Sequence, residues 1–214
     1  MIKAVLFDMD GVLVDSEQYI CQAAIQMFRE HGLNVRPDDF TPFVGKGENR
    51  YLGGVAEKYN FLIDIERDKA RTYAIYEEIT RGKLAPLPGV HDFLKACKKR
   101  KLKIAVATSA DYIKMHINLQ SIGLNEEYFD ATVNGLEVEH KKPAPDIFLA
   151  AAKKMAVDPT SCLVVEDAVS GVQAAKAAGA RCLALTTSFS EKDLVGADWI
   201  TQTLATADME VLEW

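Results

Sequence analysis

The chain opens on an apolar run, Ala4-Val5-Leu6-Phe7, that ends abruptly on Asp8. A short continuous apolar run with a polar boundary reads as a strand buried on both faces of a parallel sheet. After Ser16 the β pattern disappears. Apolar positions recur at helical spacing over Glu17 to Glu30, Glu48 to Tyr59 and Ile65 to Arg81, as with Ile20, Ala23, Ala24, Met27 and Phe28 in the first. Asp15 or Ser16 suits an N-cap there, and Gly32 a stop. Leu84-Ala85-Pro86-Leu87-Pro88-Gly89 then breaks the helical pattern as a linker does.

From Val90 onward helix and strand alternate. Val90, Phe93, Leu94 and Cys97 line one helix face, and Lys103 to Ala107 reads as a strand. A helix follows from Asp111 and ends at Gly123, with a short strand near Ala131 to Val133. Pro145 to Met155 is helical, Cys162 to Val165 a strand, Ser170 to Ala178 a helix closed by Gly179, and Arg181 to Leu185 a further strand. Near the end, Ser190-Glu191-Lys192-Asp193 has the form of a capping box opening a short helix. Repeated strand–helix units imply a parallel sheet with right-handed crossovers. The expected fold is therefore α/β, a doubly wound, Rossmann-like parallel sheet core over 1–15 and 85–214. A helical domain, 16–84, is inserted after the first strand.

Composition narrows the class. With 214 residues, 49% apolar and 26% charged, the chain can build a full core, which excludes disorder. The net charge of −6, with no long run of Lys or Arg, argues against a nucleic-acid or membrane-surface partner. Cys21, Cys97, Cys162 and Cys182 form no CxxC pair and are read as reduced core thiols of a reducing compartment. Met1-Ile2-Lys3 runs straight into the first strand, without a signal peptide, and the longest uncharged stretch, Gln18 to Phe28, is too short and polar to span a bilayer. A cytoplasmic monomer is expected.

The candidate chemistry sits at strand ends. Asp8 and Asp10 follow the first strand, and Gly11 permits the turn and leaves a backbone N–H for an anion. Taken alone, this could equally be an Asp-Gly turn with solvated acids. Thr108-Ser109-Ala110 follows the next strand, where a hydroxyl and helix N-terminal amides can hold phosphate, or where Thr108 or Ser109 simply caps the helix. His140-Lys141-Lys142-Pro143-Ala144-Pro145-Asp146 fixes Lys142 just before a proline; a solvated surface lysine is the plain alternative. Cys162 to Val165 delivers Glu166 and Asp167 to its end.

At one sheet edge, Asp8, Asp10, Glu166 and Asp167 carry four negative charges against one from Lys142. Each close like-charge pair costs on the order of 4 kcal/mol at 4 Å with an effective dielectric near 20. A cation is needed, and all-oxygen ligands select Mg²⁺ over zinc.

The ordered motifs DMDG, TS, KKPAPD and VVEDA resemble those of the haloacid dehalogenase (HAD) superfamily, in its branch of β-phosphoglucomutases and sugar-phosphate phosphatases. The resemblance implies that Asp8 is the nucleophile forming an aspartyl-phosphate and Asp10 the general acid/base. It also implies that Thr108, with Ser109 and Gly11 beside it, binds the phosphoryl group and that Lys142 bridges nucleophile and phosphate. Mg²⁺ would be held by Asp8, the Asp10 carbonyl and Asp167, with Glu166 as ligand or support. The insert would be a mobile cap over a small phosphorylated metabolite, with Ser16, Lys46, Gly47 and Arg50 as substrate contacts.

The expected activity is hydrolysis of a phosphomonoester. A phosphomutase is the alternative, although the cap positions serving the sugar phosphate in β-phosphoglucomutase hold Ile20, Glu48 and Tyr76 here. The stretch from Pro42-Phe43-Val44-Gly45 through Gly53-Gly54-Val55-Ala56 also resembles HAD domains fused to other modules in plant chloroplast proteins. A non-catalytic phospho-receiver would carry its aspartate at a later strand and needs no helical insert. A metal-free dehalogenase needs neither Asp10 nor the Glu166-Asp167 pair, and an idle interaction domain would not keep every expected catalytic position filled.

Overall fold

Strand β1 (Ala4–Phe7) is the axis of the structure, a computed structural model describing residues 1–214. It pairs in parallel with β2 (Lys103–Ala107) on one side and β4 (Cys162–Glu166) on the other. β3 (Ala131–Val133) lies beyond β2, while β5 (Arg181–Leu185) and β6 (Trp199–Thr201) lie beyond β4. The sheet order is β3-β2-β1-β4-β5-β6, all parallel. The chain therefore winds outward in one direction from β1, returns, and winds outward in the other. Open α/β sheets bind ligands outside the carboxyl ends of their strands at such a reversal.

Side-chain alternation along β1 sends Val5 and Phe7 into one apolar cluster and Ala4 and Leu6 into another. Helices α4 (Val90–Lys99) and α5 (Tyr112–Ser121) close the first with Phe93, Leu94, Met115 and Leu119. Helices α6 (Asp146–Lys154) and α7 (Val169–Ala177) close the second with Ile147, Phe148, Val172 and Ala174. Covering both faces explains why the central strands read as unbroken apolar runs.

Between β1 and α4 the chain forms α1 (Glu17–Glu30), α2 (Glu48–Lys58) and α3 (Ile65–Thr80). These have an apolar cluster of their own, in which Met27 and Phe28 join Leu52, Val55, Tyr73 and Tyr76. The outgoing and returning connections run side by side. Val14 and Pro86 form an antiparallel bridge, and the Leu87 N–H donates to the Leu13 carbonyl at 2.9 Å.

The helix after Thr108 begins as expected at Asp111, its N-cap, so neither Thr108 nor Ser109 caps it. Ser190 to Asp193 makes the hydrogen bonds of a capping box, with the Ser190 hydroxyl 2.5 Å from Asp193 Oδ2, but the chain there is a turn and not a helix. β6 was not anticipated, because a three-residue, half-buried edge strand has no apolar run to mark it. All four cysteines are free, and three of them are buried. No helix is long and apolar enough to cross a membrane.

Candidate active site

The sheet places the acids. Asp8 follows β1 directly, and its N–H continues the ladder to the Val165 carbonyl at 2.9 Å. Glu166 is the last residue of the neighbouring strand β4, so Asp8, Glu166 and Asp167 meet by backbone register alone. One carboxylate oxygen from each of the three lies within 4.8 Å of the others, and all three residues are buried. Two glycines make room for them. A Cβ on Gly171 would overlap the Glu166 carboxylate, and one on Gly11, whose φ is +73°, would overlap that of Asp167.

Lys142 Nζ sits between two of these acids, 2.5 Å from Asp8 Oδ1 and 2.5 Å from Glu166 Oε1. The other Glu166 oxygen accepts the N–H groups of Asp167 at 2.9 Å and Ala168 at 3.0 Å. Both Glu166 oxygens are thus engaged in holding neighbours. Burial pushes the Asp8 carboxyl up to about 7 against the pull of Lys142. Burial, reinforced by Glu166 and Asp8, also raises Asp167 well above the usual carboxylate range. Burial works against the Lys142 charge, but Asp8 and Glu166 outweigh it and raise the ammonium's pKa. Asp8 and Asp167, buried beside a third carboxylate with one lysine between them, hold protons more tightly than free acids, which marks a cluster short of positive charge. Its all-oxygen donors fit a hard divalent cation.

The other end of the same cavity is built by side chains. Asp10 receives the Ser16 hydroxyl on Oδ1 and Lys114 Nζ on Oδ2 at 2.9 Å, with Asn118 Nδ2 at 3.5 Å. Ser16 is the N-cap residue of α1 but makes no side-chain cap bond, because its hydroxyl is turned to Asp10. Glu48, at the start of α2, is buried and accepts the Asp111 N–H at 3.3 Å. Lys69 of α3 meets Asp111 at 2.8 Å, and the Tyr76 hydroxyl bonds Asn118. The cavity measures about 320 Å³, opens to solvent, and is lined by residues of both ends, including Asp8, Asp10, Thr108, Ser109, Lys114, Lys142, Glu166, Asp167, Glu48 and Gly47.

Several expected contacts are placed differently. The Gly11 N–H is not open to an anion; it donates to the Val14 carbonyl at 2.7 Å to close the turn. Thr108 Oγ1 accepts the Ala110 N–H at 3.1 Å, and its own N–H extends the sheet to Val133 at 3.0 Å. The α5 terminus faces Glu48 through the Asp111 N–H, so the amides after Thr108 are partly spent within the protein. Lys46 and Arg50 do not line the cavity. Lys46 is exposed, and Arg50 pairs with Glu57 at 2.7 Å and lies over the Phe43 ring. Ser16 is absent from the lining too, being committed to Asp10.

The sequence profile of the haloacid dehalogenase-like hydrolases matches residues 2–179. The chain belongs to this family. Among the relatives of this HAD-like hydrolase, the chloroplastic protein SUPPRESSOR OF QUENCHING 1 of Arabidopsis thaliana is 46% identical over 199 residues, covering 92% of the chain. The chain spans only 19% of that protein's length. A phosphorylated carbohydrates phosphatase of Thermotoga maritima is 33% identical over 83% of the chain and 82% of its own length. A solved structure of a CbbY mutant from Rhodobacter sphaeroides in complex with xylulose-(1,5)bisphosphate is 25% identical, with a TM-score of 0.86 over 96% of each chain.

Among the lining residues of this HAD-like hydrolase that escaped the sequence reading are Lys114, and Glu48 and Glu17 as wall carboxylates. Lys114 and Asn118 lie four apart on α5, and both are buried beside apolar Met115 and Leu119. A polar pair at helical spacing on an otherwise apolar face is the one signal that could have found Lys114. Burial opposes its charge, but Asp10 and Glu48 more than restore it, raising its pKa.

Proposed function

We propose that this chain is a Mg²⁺-dependent phosphatase that hydrolyses a small phosphomonoester, a sugar phosphate by class, through an aspartyl-phosphate on Asp8. The observation that carries this reading is Asp8 at the tip of the central strand, bonded to Lys142 and grouped with Glu166 and Asp167. Asp8 and Asp167 would hold the metal, with the Asp10 carbonyl, while Glu166 positions Lys142. When bound, Mg²⁺ supplies the positive charge that phosphoryl transfer demands of its site.

In the first step an Asp8 oxygen forms a bond to phosphorus as the bond to the leaving oxygen breaks, and Asp10 gives that oxygen its proton. In the second, Asp10 takes a proton from water as the water oxygen attacks phosphorus and frees Asp8 and inorganic phosphate. Lys142 and Thr108 stabilise charge on the phosphoryl oxygens, because preorganised donors act most strongly where water is excluded. The helices α1 to α3 act as a cap, keeping other water from the intermediate. The cavity volume of about 320 Å³ suits a small metabolite. A reducing compartment, the cytoplasm included, suits the four free thiols.

The test is phosphate release from a panel of sugar phosphates, with Mg²⁺ and with a chelator. Turnover that needs Mg²⁺, with a phosphoryl adduct on Asp8 trapped by rapid acid quench, is the expected result. Mg²⁺-independent turnover, or an adduct elsewhere, overturns it. The alternative phosphomutase activity would show as an isomeric sugar phosphate without free phosphate.

A further inference from the structure

We infer that the cavity takes a substrate with one phosphate and an uncharged, hydroxyl-bearing remote end, and that Glu48 is the residue that turns a second anion away. This rests on the phosphatase reading above and adds the substrate class. The fold leaves the matter open, since a CbbY neighbour of the same fold is seen with a bisphosphate. The lining of this cavity decides it.

A second phosphate needs an uncommitted cation, and none lines the cavity; of those nearby all but Lys46 are already engaged, Lys141 with the Gly135 carbonyl. The lysines in the cavity wall are Lys142 and Lys114. Lys142 is shared between Asp8 and Glu166, and Lys114 is held by Asp10. Of the cations just behind the wall, Lys69 bonds Asp111 and Asn49, and Arg50 bonds Glu57. Lys46 is exposed and outside the lining.

The cap side of the wall instead offers carboxyl groups. Glu48 enters from the start of α2 and Glu17 from the start of α1, where it also accepts the Tyr51 hydroxyl at 3.1 Å. Burial raises the Glu48 carboxyl to about 7 and raises Glu17 as well. Near neutral pH Glu48 is either an anion, which repels phosphate and accepts hydroxyls, or an acid, which donates to one hydroxyl oxygen. Neither state supplies positive charge. Ile20, Phe43, Val44 and Leu87 complete the wall with apolar surface for a carbon skeleton. Discrimination against the bisphosphate thus comes from an uncompensated charge, the stronger form of selectivity.

The experiment uses the full chain with Mg²⁺ and p-nitrophenyl phosphate, a substrate without a polar remote end, as reporter. Inhibition constants are measured for fructose 1-phosphate against fructose 1,6-bisphosphate, and for glucose 1-phosphate against glucose 1,6-bisphosphate. The expected result is at least about tenfold tighter binding of each monophosphate, with the ratio narrowed at least about threefold in Glu48→Gln. Because the ratio is taken within one variant, a general loss of activity cancels. Equal or tighter binding of the bisphosphates by the wild type overturns the inference, as does a failure of both members of each pair to inhibit. An unchanged ratio in folded Glu48→Gln overturns the role given to Glu48. Absence of p-nitrophenyl phosphate turnover by the wild type overturns the phosphatase reading itself, and is distinguishable from the other outcomes.

Discussion

At the strand-tip end of the cavity, Asp8, Glu166 and Asp167 are fixed by backbone belonging to the sheet, whereas at the cap end Asp10, Lys114 and Glu48 arrive from a loop and two helices. Both ends pair a buried lysine with carboxylates at close range, 2.5 Å for Lys142 and 2.9 Å for Lys114. The difference lies in what holds them. Register between β1 and β4 delivers the first set whatever the surrounding helices do, while in the second Lys114 depends on the packing of α5 and Glu48 joins only when the helical block is packed against α5. On the proposed reading, the first end carries the nucleophile and the metal, while the second adds the Asp10 acid/base and the Glu48 wall that would meet the rest of the substrate.

Substitutions can break this contrast in graded steps. Asp8→Asn should abolish turnover, by on the order of 10⁴-fold or more, while its thermal midpoint holds or rises, since one anion leaves a cluster short of positive charge. Phosphate release and a melting curve on the same sample check both halves. Lys142→Met leaves Asp8 and Glu166 buried without their cation, so it should cost about 3–5 kcal/mol of stability in chelator. Added Mg²⁺ should restore part of that loss, and denaturant titration with and without the metal reads it.

Lys114→Met frees Asp10 on one side only, because Ser16 and Asn118 still bond it. A fall in kcat of about 10–100-fold is expected, within the range for disturbed acid–base groups, with the Mg²⁺ requirement unchanged. A larger loss than in Lys142→Met would reverse the assignment of chemistry to the strand-tip end.

Glu48→Gln should show the smallest effect, in the pH dependence of stability. The folded carboxyl is raised by burial from 4.5 to about 7, so between those values the native state binds more protons than the unfolded chain. Wild-type stability therefore loses this group's contribution as pH rises through that window. The variant lacks the titration, so its thermal midpoint relative to wild type should be higher at pH 8 than at pH 5. A constant difference across that range would mean that Glu48 is not buried as a proton-holding acid.

The same contrast explains what could be read from the sequence. The apolar strands, the helical insert and the meeting of Asp8, Glu166 and Asp167 are legible because strand ends carry their residues to a fixed edge; Lys142, in a loop before α6, is reached only through its motif. Once Ala4–Phe7 and Cys162–Val165 were taken as central strands, their endings had to meet. Lys114 leaves only a faint signal, its spacing from Asn118 beside Met115 and Leu119, and nothing in Tyr112-Ile113-Lys114-Met115 says that this face meets Asp10. Lys46 and Arg50 were expected at the substrate because of their charge. Arg50 has a closer partner in Glu57, one more helical residue along the same face, and the sequence offered no way to rank that pair against a ligand. The Gly11 amide was misjudged for a similar reason, as a four-residue turn to Val14 could not be separated from an open loop.

The paired connections at Val14 and Pro86 have a mechanical consequence. Two covalent links bridged side by side leave less freedom than one flexible tether would, so if α1 to α3 open as the proposed cap, they would swing about the line of that bridge. Such an opening would have to part the Lys69–Asp111, Tyr76–Asn118 and Glu48–Asp111 contacts together, like a latch with three catches.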